Sequence, residues 1–160
     1  MPTFDISSEF NKQEVTNAVD QCHREISNRY DFRDTKTSIS LMDNSILLKS
    51  STLDRMLAAE QVLKEKFVKR SVSIKFLGDV KDETLPSEVK RTYNLKSGIN
   101  QSTSKEIITL LKKSNKKIQC SYQNETIRVT SKKRDDLQEA ITLIKESDIE
   151  TPLNFGNFRD

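Results

Sequence analysis

The stretch DNSILLKSSTLDRMLAAEQVLKE, residues 43–65, returns 81 positions later without a gap as NETIRVTSKKRDDLQEAITLIKE, residues 124–146. Ile46 falls on Ile127, Leu48 on Val129, Asp54 on Asp135, Met56 on Leu137, Ala59 on Ala140 and Leu63 on Ile144. In each copy the apolar residues first alternate, which suits a strand with one buried face. They then recur every three or four positions, which suits the inner stripe of a helix. Turn residues stand just before the strand, Asp43-Asn44 in one copy and Gln123-Asn124-Glu125 in the other, so the strand is the returning arm of a hairpin.

Outward from that block the order repeats as well. Ile39 and Leu41 alternate with Ser38 and Ser40 to give the first arm of one hairpin, and residues 118–122 give that of the other. Further upstream each copy has a helix. One pairs Asn11 with Glu14 as a capping box and runs Val15, Ala18, Val19, Cys22 and Ile26 along its inner stripe. The other is expected to be capped by Thr103 with Glu106 and to turn Ile107, Leu110 and Leu111 inward. Each copy opens on a strand, Phe4-Asp5-Ile6-Ser7-Ser8 and Tyr93-Asn94-Leu95-Lys96-Ser97, here 89 residues apart. Each closes on another, carried by Val72, Ile74 and Phe76 in the first copy and by residues 153–158 in the second.

Both copies spell βαββαβ, the split βαβ plan. Two copies are too few and too long for a solenoid, which stacks several short units. The expected fold class is α+β, with two tandem ferredoxin-like two-layer sandwich domains from an internal duplication. The expected domains are residues 1–80 and 90–160, joined by a polar linker over 81–89 that contains Pro86. This plan leaves the N-terminal strand free to exchange sheets with the opposite half.

Composition narrows the class. No apolar run approaches the roughly 20 residues of a membrane span, and MPTFDISSEF lacks the basic and apolar regions of a signal peptide. Cys22 and Cys120 stand alone and read as small buried hydrophobes of a reducing compartment, so a cytoplasmic protein without membrane contact is expected. The net charge of +3 is uneven: residues 1–88 carry 13 Lys and Arg against 15 Asp and Glu, residues 89–160 carry 14 against 9. That asymmetry points an anionic partner toward the second copy.

Catalytic chemistry finds no foothold. The single histidine, His23, has no partner spacing for a metal or a nucleophile, and three glycines are too few for a phosphate-cradling loop. Neither an enzymatic constellation nor a cofactor is called for. The sheet faces opposite the helices are more informative. The second copy is expected to present Asn94, Lys96, Gln119, Ser121, Arg128, Thr130 and Asn154 there, and the first copy Asp5, Ser7, Ser38, Ser40, Leu47, Lys49, Ser73 and Lys75. These are donor-rich surfaces, suited to phosphates and base edges. The central strands SILLKS (45–50) and TIRVTS (126–131) carry no aromatic residue, so the base-stacking platform of RNA-recognition modules is absent. Ser131-Lys132-Lys133-Arg134 lies where a strand feeds a helix, which sets cations beside free helical amides.

Several blocks resemble the YajQ family: Pro2-Thr3-Phe4-Asp5-Ile6, Arg29-Tyr30-Asp31-Phe32-Arg33, Leu95-Lys96-Ser97-Gly98-Ile99, residues 127–138 and the terminal Asn157-Phe158-Arg159-Asp160. The likeness runs end to end and lapses over residues 75–90. It implies a bacterial cytosolic protein of two ferredoxin-like domains, described as nucleotide-binding. Some relatives are reported to bind cyclic di-GMP and act through a transcription regulator; others are linked to tRNA or to GTP and ATP. With the basic second half, the resemblance marks Lys96, Arg128, Lys132 and Arg134 as phosphate ligands, with Arg29, Arg33 and Arg159 as further cations. Thr130 and Asn94 would hydrogen-bond a base or sugar. RNA binding through phosphate contacts and a protein-interaction role are the alternatives.

Overall fold

The hairpin-then-helix block forms twice, as its change of period requires. A computed structural model describes all of residues 1–160. Its elements are β1 (Thr3–Ser7), α1 (Lys12–Asn28), β2 (Ser38–Met42), β3 (Ser45–Ser50), α2 (Leu53–Lys69), β4 (Val80–Thr84) and β5 (Val89–Asn94). They continue with α3 (Gln101–Ser114), β6 (Gln119–Gln123), β7 (Thr126–Thr130), α4 (Arg134–Lys145) and β8 (Asn154–Arg159). Asn124 and Glu125 take φ of 55° and 60°, the left-handed pair that closes a two-residue hairpin between β6 and β7.

The strands form two antiparallel sheets, β6-β7-β1-β8 and β2-β3-β5-β4. Unit 1 is Met1–Glu9 with Ser97–Asp160, and unit 2 is Phe10–Lys96. Each is ferredoxin-like. In unit 1, β1, α3, β6, β7, α4 and β8 follow the βαββαβ order directly. In unit 2 the place of the opening strand is taken by β5, which comes last in the chain. The opening strands of the two copies have therefore changed sheets, and domain limits at 80 and 90 do not describe the folding units. Phe4 and Ile6 from β1 are fully buried among Ile107, Leu111, Ile127 and Val129 of unit 1. Tyr93 from β5 is fully buried among Ile46, Leu48, Met56 and Leu63 of unit 2.

The register also moves the echo between the opening strands. Ile6 sits opposite Ile127 and Tyr93 opposite Ile46, so Tyr93 matches Ile6 rather than Phe4. A slip of two residues keeps every side chain on its face, which is why alternation alone does not reveal it.

Three further expectations give way. The segment with Val72, Ile74 and Phe76 is no strand; Ile74–Leu77 makes a 3-10 turn that buries Phe76 and Leu77. The polar stretch 81–89 is not a linker but most of β4, a turn and the start of β5, with Leu85 N–H donating to Glu88 C=O at 2.8 Å. All five residues of β4 are exposed, so it has no apolar alternation to read. Finally, α3 begins a turn earlier than expected: Asn100 is the cap, and its side chain accepts from Thr103 N–H at 2.7 Å.

The exchange redistributes charge. Unit 1 holds 11 Lys and Arg against 11 Asp and Glu, and unit 2 holds 16 against 13. The excess of +3 belongs to unit 2, so the charge argument for the second copy does not carry over to the folded units.

Candidate functional site, an open sheet face

In unit 1 both helices lie on the side of the sheet that buries Phe4, Ile6, Ile127 and Val129. The alternate residues form the open face, and the registers set them in rows. Gln119, Thr130, Thr3 and Arg159 lie side by side across β6, β7, β1 and β8. In the next row Ser121, Arg128, Asp5 and Gly156 do the same. The pairing of β1 with β8 shifts register between Thr3 and Asp5, and Asn157 there takes a left-handed φ of 54°. That irregularity brings the Asn157 amide onto Asp5.

Asp5 is the centre of the face. Arg128 Nε donates to its Oδ1 at 3.1 Å, and Asn157 Nδ2 donates to its Oδ2 at 2.7 Å. Burial of the carboxylate works against its charge, but these two hydrogen bonds and the charges of Arg128 and Arg159 outweigh it. The Asp5 carboxyl is held below the usual carboxylate range. Arg128 is 52% exposed while Asp5 is 18% exposed, so the guanidinium keeps donors free toward solvent. Beside them Asp5, Ser121, Asn124, Thr126 and Arg128 line a depression of about 270 Å³. The face thus offers a guanidinium with a planar fork of donors, a carboxylate acceptor, and hydroxyl and amide groups between.

Of the nine residues marked in the sequence, Arg128, Thr130 and Arg159 meet on this face. Lys132 and Arg134 lie in the same unit at the start of α4. There the Ser131 hydroxyl is buried and donates to Asp136 Oδ2 at 2.9 Å, and exposed Arg134 pairs with Asp160. Asp135 and Asp136 already place negative charge in the first turn, where it suits the helix dipole.

The other four belong to unit 2. Asn94 accepts from Ser45 Oγ at 3.2 Å, and Lys96 Nζ lies 3.0 Å from the Asp79 carboxylate. Arg29 is engaged by Glu25 at 3.0 Å and forks onto Asp31 at 3.0 and 2.8 Å. Arg33 lies over the Tyr30 ring, 5.7 Å from its centroid.

Sequence reasoning placed Asp5 on the first copy's face; the strand exchange puts it against Arg128, and nothing local announced that pairing. It also passed over Tyr30, which is 83% exposed, because the ring sits just after a helix end and off any apolar period. Phe32 is buried, and Phe158 stacks on Phe4 at 5.8 Å.

Residues 2–159 match the family model described as "Nucleotide-binding protein YajQ-like". A protein of Hahella chejuensis named "Nucleotide-binding protein" is 42% identical over 164 residues, with both chains covered in full. Proteins of the same name in Coxiella burnetii and Legionella pneumophila are also 42% identical, over 161 and 162 residues, again along the whole of both chains. Those relatives are named for binding rather than for a reaction. With the family model spanning nearly every residue, and full-length relatives at this identity, the chain belongs to the YajQ family.

Proposed function

We propose that this protein is a non-enzymatic receptor for a guanine nucleotide, held on the open sheet face of unit 1. The observation that carries the reading is the Arg128–Asp5 pair, exposed on one side and flanked by Thr3, Thr130, Ser121 and Arg159. The chemistry of this pair favours guanine. The Watson–Crick edge of guanine presents N–H donors, which a carboxylate such as Asp5 accepts. Its N7 and O6 accept the fork of an arginine such as Arg128. Adenine presents the opposite polarity at its base-pairing edge and is served less well. Arg159, Thr130 and the free side of Arg128 take phosphate oxygens.

Among guanine nucleotides, cyclic di-GMP is the ligand that the family resemblance favours, with signal passed to a transcription regulator in the cytoplasm. Calorimetric titration tests this with cyclic di-GMP, GTP and ATP at near-physiological salt. Binding of cyclic di-GMP that GTP does not match supports the reading, and Asp5→Asn and Arg128→Ala should each weaken it roughly tenfold. Unchanged affinity in both variants, folded by circular dichroism, removes the ligand from this face.

A second reading rests on unit 2. Its open face sets Lys49 directly opposite Lys90, with Lys81 on the neighbouring strand. Lys90 already lies 3.6 Å from Glu88, which leaves Lys49 and Lys81 to take a further anion. RNA phosphates would serve, and binding through them must weaken steeply with salt. A flat salt profile rules this out.

A further inference from the structure

Every open sheet has two free edges, and unprotected ones invite another strand. In unit 2 the edges are β2 and β4. The β4 edge carries Lys81, Asp82 and Glu83 in succession, whereas Ser38-Ile39-Ser40-Leu41-Met42 of β2 has no charge, no proline, no glycine and no bulge.

The ladder fixes which backbone groups β2 leaves outward. Leu95 N–H donates to Asn44 C=O at 2.8 Å, so Ile46, Leu48 and Ser50 bond toward β5 by alternation. Ser45, Leu47 and Lys49 then bond toward β2, onto Met42, Ser40 and Ser38. The N–H and C=O of Ile39 and Leu41 therefore point away from the sheet. Beside them a groove of about 500 Å³ runs between β2 and α1, lined by Lys12, Thr16 and Asp20 from the helix and Ile39, Ser40 and Leu41 from the strand.

We propose that this edge pairs with the same edge of a second copy of the chain, joining two four-stranded sheets into one. A two-fold axis past Ser40 and Thr16 lays β2 antiparallel on its copy. Ile39 then faces Leu41 of the partner copy twice over, and the outward N–H and C=O groups of both are satisfied. The same axis sets Lys12 opposite Asp20 of the partner copy, again twice, because the two residues lie four positions either side of Thr16. Neither Lys12 nor Asp20 has an ion-pair partner in its own chain. The corresponding groove of unit 1, between α3 and β6, is lined by Lys112 and Lys116 and presents a single sign of charge. Self-pairing there sets lysine against lysine, so the two grooves differ in the property that decides self-association.

Sedimentation of the full chain at concentrations up to about 1 mM detects even a millimolar dimer. The expected result is a reversible dimer that Ser40→Lys weakens at least about tenfold, since the two Ser40 side chains meet on the axis. Lys12→Asp should weaken it comparably, and Lys12→Asp combined with Asp20→Lys should restore it. Ser40 is exposed and its backbone bonds face β3, so the lysine leaves the fold intact. An independent readout in the unaltered protein is amide exchange at Ile39 and Leu41, which should slow as concentration rises. A monomer throughout the range overturns the proposal. So does a dimer that neither single variant weakens, or one that leaves the two amides exchanging at an unchanged rate.

Discussion

The position that Phe4 fills in unit 1 belongs to Arg91 in unit 2, since Phe4 lies opposite Val129 and Arg91 opposite the repeat-equivalent Leu48. A buried ring has become a guanidinium, and the neighbourhood has changed to suit it. Arg91 Nη1 reaches Glu60 Oε2 at 2.7 Å, its Nε and Nη2 fork onto Asp82 at 2.7 and 2.9 Å, and Tyr93 O–H donates to Glu60. Burial raises the Glu60 carboxyl, but Tyr93 and Arg91 more than offset it and hold it below its ordinary value. A depressed carboxyl stabilises the fold fully above its ordinary value near 4.5, and the contribution fades as pH falls through the folded value. The urea midpoint should therefore decline below pH 4.5, and Glu60→Gln should flatten part of that decline; parallel profiles for the two proteins would contradict the assignment. Arg91→Met leaves Glu60 with only Tyr93 and Lys64 as partners and should cost about 1–3 kcal/mol. Adding Glu60→Leu together with Tyr93→Phe should recover most of it, because apolar groups of similar volume then replace the ion pair and no buried hydroxyl loses its acceptor.

At the scale of elements, the capping of α3 separates two readings by one turn. Asn100 accepts from Thr103 N–H, so Asn100→Ala should lower stability by about 1 kcal/mol while Thr103→Ala stays within about 0.5 kcal/mol. Thermal melts of the two variants decide, and the reverse order would return the cap to Thr103. Sequence alone favoured Thr103 because Glu106 stands three residues on, whereas nothing three residues after Asn100 resembles a capping glutamate. The four long helices and the two tight hairpins were legible because each buries one face with the period of its own geometry. β4 was not, since a strand exposed on both faces has no period, and the 3-10 turn at Ile74–Leu77 imitates alternation over three residues. The candidate site divides in the same way. Arg128 and Thr130 were readable as open-face residues of β7, but their meeting with Asp5 and Asn157 depends on which sheet β1 joins. That choice is made by packing between segments more than 120 residues apart.

At the scale of the molecule, the unit that duplicates and the unit that folds have different ends. The repeat begins each copy with a strand, yet that strand completes the sheet of the other copy, between β7 and β8 or between β3 and β4. Burying Phe4 and Ile6 contributes about 1.5–3 kcal/mol each. A unit of this size has only about 4–11 kcal/mol in all. Loss of β1, with its two ladders, is therefore comparable to the whole stability of unit 1 and takes no strand from unit 2. Deleting residues 1–9 should abolish slow amide exchange across 97–160 while 10–96 keeps its protection. Two fragments of nearly equal length sharpen the point. Residues 10–96 contain every strand of the β2-β3-β5-β4 sheet and should fold alone with a cooperative melt. Residues 1–88, the first copy with all but the last residue of the expected linker, lack β5 from the middle of that sheet. They carry instead a β1 whose partners β7 and β8 are missing, so they should show no cooperative transition. A folded 1–88 would mean that β1 can take the place of β5. The exchange would then be one of two arrangements open to the chain, chosen by Tyr93 and Arg91 fitting unit 2 better than Ile6 and Phe4 do.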